Sequence, residues 1–275
     1  MSATNNPKRL HAVYYRAPDG LEPVSDFIDM LPVKKQVVLD NQIDRINELC
    51  TTGQPDLPFP HSSQVDGQLR ELRCHYGRSL YRVLYRRSGN LVILLHALSK
   101  TTAKIPASDI KIANERFADF KQRMEALPRK PPRAVGGDAP WGLFMLIKYG
   151  KLWHREEHPM KTKTETQTPI GSTHAQAQER RAKNPAYQAE LARLAPYEAL
   201  ARNLMGYRIE HGLTQAQLAK RVGTSHSAIS RIESGQHAAT PETLRKLATA
   251  LDMRLVIGFE RGPKKTPKRD LVVFG

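Results

Sequence analysis

Between Arg70 and Arg87 the sequence sets six arginines, at 70, 73, 78, 82, 86 and 87, against a single acid, Glu71; His96, Lys100 and Lys104 follow closely. Cations this concentrated suit chemistry on a phosphodiester. RNA strand cleavage takes a proton from the 2′-OH, builds charge on the phosphorane and returns a proton to the leaving 5′-oxygen. Arginine and lysine stabilise the developing charge. A histidine or carboxylate such as His96 or Glu71 can carry the protons. No metal-ligand set is needed and none is visible. A plainer reading stands beside this one, with Arg73 and Glu71 as a cross-strand surface pair and His96 as a satisfied core histidine.

These residues need a sheet to position them. Leu10–Arg16 is aromatic and β-branched and ends at the turn Ala17-Pro18-Asp19-Gly20, which predicts a first strand. Helices are expected over 25–31 and 32–49, the second opened by Pro32. Strands are expected over 69–74, 79–87 and 91–98, joined by turns too short for anything but an antiparallel meander. A last helix is expected from Pro106 to about Met124. The order β-α-α-β-β-β-α describes an α+β domain, one antiparallel sheet with helices on one face. Alternation in the middle strand puts Leu80, Arg82, Leu84 and Arg86 on one side and Tyr81, Val83 and Tyr85 on the other. A face mixing arginine with leucine is expected to form a half-open wall on which Arg73, Arg82, His96 and Lys100 converge.

The stretches Glu71-Leu72-Arg73, Tyr81-Arg82-Val83-Leu84-Tyr85, Leu94-Leu95-His96, Lys100 and Lys104-Ile105-Pro106 resemble the phage-derived HigB-like branch of the RelE/ParE toxin superfamily, over about residues 10–125. That resemblance implies a ribosome-dependent mRNA interferase cutting in the A site. Arg82 matches the phosphate-binding arginine and Lys100 the basic residue after the last strand. Relatives often carry a second basic residue next, where this chain has Thr101; Lys104 is the available substitute. The superfamily also includes gyrase poisons without the basic set.

Residues 213–239 read as two helices with a tight turn. Thr214 and Gln217 form a capping-box pattern, Leu218, Ala219 and Val222 face inward, and Gly223 permits the turn. A second helix is expected over 225–233, with Ile229 and Ile232 inward; Thr240-Pro241 opens another, and 197–210 supplies a leading helix. The pattern resembles the Cro/C1-type helix-turn-helix family, whose second helix enters the major groove. That assigns Ser225, His226, Ser227, Ser230 and Arg231 to DNA, with Gln215 on a backbone phosphate. Strands are expected over 253–259 and 271–274 as a short β extension that can pair across a dimer.

The 275 residues fit two domains better than one. The net charge is +16, and residues 1–130 and 200–275 are separately basic at +6 and +7, which favours polyanionic partners. The longest apolar run, Trp141–Ile147, is too short to span a bilayer. The N-terminus carries no signal-peptide pattern, so a cytoplasmic location is expected, and Cys50 and Cys74 form no CxxC pair. The segment 128–184, rich in Pro, Lys and Thr, reads as a linker between a toxin domain at 1–127 and an antitoxin domain at 185–275. His154, Glu157 and His158 fit H-x-x-E-H on paper, yet Pro159 and Gly150 leave no room for the long helix it needs. Glu156 and Glu157 ahead of Met160 suggest instead a translated ribosome-binding site, with Met160 as a former start.

Together these features imply a fused toxin–antitoxin protein without cofactor or metal. Its expected partners are operator DNA, the ribosome and mRNA, its own other half and a second copy, and no membrane. The Ala-rich stretch 185–194 is available as a helix laid on the toxin, the tether raising its local concentration. A regulator with a decayed toxin fold, or a gyrase-directed toxin, are the alternatives.

Overall fold

The computed structural model describes residues 8–52, 56–100, 104–126, 168–261 and 268–274. Strand β1 (His11–Tyr15) leads to helices α1 (Pro23–Asp29) and α2 (Val33–Leu49). Strands β2 (Ser62–Asp66), β3 (Leu69–Tyr76), β4 (Ser79–Ser88) and β5 (Leu91–Ser99) follow, and then α3 (Ala107–Ala126). The chain resumes with β6 (Ile170–Thr173), α4 (His174–Arg181) and α5 (Pro185–Glu210). Helices α6 (Gln215–Val222), α7 (His226–Glu233) and α8 (Pro241–Ala250) precede β7 (Leu255–Arg261) and β8 (Lys268–Phe274). The fold class is as expected: an α+β domain, then a helical domain with a short β extension. No helix among the described residues is long and apolar enough to cross a membrane.

Three features depart from the sequence reading. The six-stranded sheet runs β2-β3-β4-β5-β1-β6, so the meander has a fourth strand at its edge and β1 pairs with β5 in parallel. Helices cover both faces rather than one. Leu39, Ile43 and Ile46 of α2 pack on Leu72, Val83 and Tyr85, while Ala113, Phe117 and Phe120 of α3 pack on Leu84, Ile93 and Leu95. Each such side chain contributes roughly 1.5–3 kcal/mol on burial, and both faces of β4 contribute because its leucine and tyrosine rows alternate.

The third departure is in the expected linker, of which residues 168–184 are structured. β6 lies antiparallel on β1, and α4 sends Arg181 into the N-terminal domain. Thr173 caps α4 in a full capping box with Gln176. Gly171 permits the approach, since a Cβ there would sit 2.6 Å from Glu22 Oε1 and 2.7 Å from the Tyr14 carbonyl. Met160 and the H-x-x-E-H stretch lie outside the described residues, as does Thr101.

Helix α5 is continuous through Pro196, where separate helices were expected to end and begin. A proline inside a helix costs about 3 kcal/mol. Packing on α2, with Tyr187 and Leu194 buried beside Val37 and Val38, offsets that cost and makes one rod joining the two domains. In the C-terminal domain Thr214 makes the capping box with Gln217, and Gly223 closes α6 at φ 67°. Leu204, Leu218, Val222, Ile229, Ile232 and Leu247 form its core.

Candidate nucleic-acid sites and the interface between them

The six arginines do not form one cluster. Arg70 and Arg87 pair with Asp56 at 2.9 and 2.7 Å, and Arg86 lies over the Phe117 ring at 4.5 Å. Arg78 is exposed near the β3–β4 turn. Arg73 and Arg82, register partners on β3 and β4, share Glu71: Arg73 Nε is 2.6 Å from Oε1 and Arg82 Nε 2.8 Å from Oε2. Ser63 of β2 donates to Glu71 Oε1 at 2.7 Å, and Arg82 Nη1 donates to the Tyr81 carbonyl at 2.7 Å. Burial works to raise the Glu71 carboxyl, but hydrogen bonds from Ser63 and Arg73 and the nearby arginine charges hold it below the ordinary range. Glu71 therefore stays ionised and orients the two guanidiniums, which leaves it a weak base. Lys100 belongs to this group: partial burial, then Arg82, then Arg73 lower its ammonium against the pull of Glu71.

His96 does not join them. It lies opposite Leu84, in the row of Arg82, but its ring is held by α3. There Nε2 sits 2.8 Å from Asp109 Oδ1, and Arg116 Nη1 donates to Nδ1 at 3.1 Å. Both ring nitrogens are occupied, which ties this half-buried histidine to α3. Lys104 is exposed, ahead of α3. Sequence reasoning missed the histidine that does line the site. His75, at the end of β3, shares a cavity of about 190 Å³ with Arg73 and Arg82, and burial holds its ring below the ordinary histidine value.

The far wall of that cavity comes from the C-terminal domain, as Gln215, Ser230, Ser234 and Gln236. Around it runs a buried polar network. Arg45 of α2 makes a two-pronged pair with Glu198 of α5, both contacts 2.6 Å, and donates to the Glu233 carbonyl at 2.8 Å. The Glu233 carboxylate receives Arg208 at 2.5 and 2.9 Å, Gln215 at 2.9 Å and His61 Nε2 at 2.9 Å. Arg45, Arg208 and Glu233 are each at most 1% exposed, and such groups are tolerated only when fully paired.

The expected DNA-reading residues divide accordingly. Ser225, His226, Ser227 and Arg231 are exposed, and Ser225 caps α7. Ser230 is half-buried against the interdomain cavity. Gln215 is not available to a phosphate; it is 4% exposed and spent on Glu233.

Residues 204–257 match the family model described as Helix-turn-helix, and residues 26–118 match the one described as Phage derived protein Gp49-like. The chain joins a Gp49-like domain to a helix-turn-helix domain. Curated proteins give no match. A Gp49-like toxin-family domain beside a DNA-binding module supports a toxin–antitoxin or regulator fusion.

The interface between the Gp49-like and helix-turn-helix domains carries a pH dependence. Burial pushes the His61 ring below the ordinary 6.5, despite its bond to Glu233. A depressed docked value means that the docked state binds fewer protons than the separated one, so docking weakens as pH falls below about 6.5. Scattering is expected to show a more extended chain at pH 5.5 than at 7.5, a change that His61→Gln should abolish. Burial also works to raise Glu233, but His61 and Arg208 bring it to about 2 from an ordinary 4.5. The stability this carboxylate contributes is present above pH 4.5 and lost as pH falls towards about 2.

Proposed function

We propose that the Gp49-like domain is a ribosome-dependent mRNA endonuclease restrained in cis by the helix-turn-helix domain, which also binds operator DNA and represses its own operon. The observation that carries this reading is the cavity of Arg73, Arg82 and His75 whose opposite wall is helix-turn-helix residues. Arg73 and Arg82 are paired and oriented by Glu71, as a cradle for a phosphate in transition requires, and Lys100 adds charge beside them. His75 is the imidazole at hand for proton transfer. The docked domain narrows the approach to these groups: Arg82 is buried, while Arg73 is part-exposed and His75 exposed at the rim. A second copy, pairing through the β7–β8 hairpin with its exposed Val256, Ile257 and Leu271, would supply the two half-sites of an operator.

A regulator whose N-terminal domain has lost activity draws its support from the same cluster, because Glu71 occupies Arg82 and only 7% of that arginine is exposed. Cleavage by purified chain on ribosomes programmed with mRNA separates the two. In a Glu198→Arg background, which sets two arginines against each other at the docking pair, cleavage is expected to appear. Adding Arg82→Ala should lower it about 10²–10³-fold. Ribosomes left uncut by the Glu198→Arg chain would favour the regulator.

A further inference from the structure

The helix-turn-helix domain docks along one edge of the helix it would turn to DNA, through Ser230 and the segment just after it, while Ser225, His226, Ser227 and Arg231 stay exposed. Gln215, the first residue of α6, is sealed against Glu233, whose carbonyl accepts from Arg45. Ser230, half-way along the outward face of α7, lines the cavity opposite Arg82. His226, the first residue of α7, borders a groove of about 940 Å³ whose far wall includes Asp56, Phe59 and Ser63. Just beyond α7, Gln236 Nε2 donates to the His75 carbonyl at 2.8 Å. A major groove about 12 Å wide must receive the whole of a recognition helix. β3, bonded to Gln236 just past α7, and the 56–64 segment, bonded through His61 to Glu233 at the buried end of α7, stand beside that helix where the groove walls and their phosphates would lie.

We propose that domain docking and duplex-DNA binding are mutually exclusive, each nucleic-acid surface being the cover of the other. This rests on the reading of α6 and α7 as a DNA-binding unit. Duplex DNA captures the undocked population alone, so its apparent affinity is the intrinsic one scaled by that fraction. By reciprocity, bound DNA drives undocking by the same factor and uncovers Arg73 and Arg82.

The test uses the full chain, the Glu198→Arg chain and a labelled duplex of the DNA preceding its own coding sequence, with binding read by anisotropy at one fixed salt concentration. The substituted chain is expected to bind about 10–100-fold tighter than wild type. Equal affinities, with undocking verified by scattering, would overturn exclusion while leaving the DNA-binding reading intact; binding by neither chain would overturn both. A second measurement needs no variant. Saturating duplex should raise amide hydrogen exchange over residues 56–64 and 72–76 of the wild-type chain, and unchanged exchange there at saturation would equally overturn exclusion.

Discussion

An Arg181→Ala chain should lose about 3–5 kcal/mol of stability in denaturant unfolding, the usual consequence of stranding one partner of a buried ion pair. Arg181 reaches from α4 into the N-terminal domain, where Nη1 lies 2.9 Å from Asp40 Oδ1, Nε 2.6 Å from Asp29 Oδ1 and Nη2 3.0 Å from Ser25 Oγ. Asp40 is fully buried. Burial raises its carboxyl, against the opposing charges of His174 and Arg181. Without the guanidinium it retains the Tyr187 hydroxyl at 2.7 Å and the neighbouring His174. Arg181→Lys should rescue little, because a point charge cannot serve Asp29, Asp40 and Ser25 together. A loss below 1 kcal/mol would mean that α4 is dispensable to the domain it covers.

Gly235→Ala should undo docking where Gly223→Ala does not. Both glycines hold positive φ, 69° and 67°, so an L side chain costs roughly 1–2 kcal/mol of backbone strain at either. A Cβ at Gly223 meets nothing within 4 Å. At Gly235 it would lie 2.0 Å from Glu198 Oε2 and 2.6 Å from Arg45 Nη2. Those atoms are side-chain ends, but each is fixed in a buried two-pronged pair and can move only by breaking it, which adds about 3–5 kcal/mol. Scattering should show separated domains for Gly235→Ala and a compact chain for Gly223→Ala. Similar behaviour of the two would show that the Arg45–Glu198 pair can shift without releasing the interface.

Much of this was legible because it is local. The alternating rows of β4, the Thr214–Gln217 capping box and Gly223 each announce their structure within a few residues. Strand β2 was not legible, since Ser-Ser-Gln-Val-Asp holds one apolar residue and earns its place only as an edge strand on β3. β6 and α4 were hidden for a related reason. Their sequence is polar, and the partners that fix them, Glu22, Asp29 and Asp40, lie more than 130 residues away. Within the site, alternation along β4 put Arg82 in its row, whereas Arg73 and Glu71, expected as a cross-strand pair, lie two residues apart on β3, with Arg73 opposite Arg82. His96 lies opposite Leu84, in the row of Arg82, and is kept from the arginines by partners that only the packing of α3 supplies, Asp109 and Arg116. Arg45 and His61 had no signal at all. Each is an ordinary polar residue until a second domain buries it.

Restraint of a ribonuclease site by the domain fused to it is tested most directly by inducing the wild-type chain, the Glu198→Arg chain and the Glu198→Arg/Arg82→Ala chain in growing cells and following growth at matched protein levels. Arrest by the Glu198→Arg chain alone is the predicted result. Continued growth while that chain accumulates, folded and undocked, would contradict it.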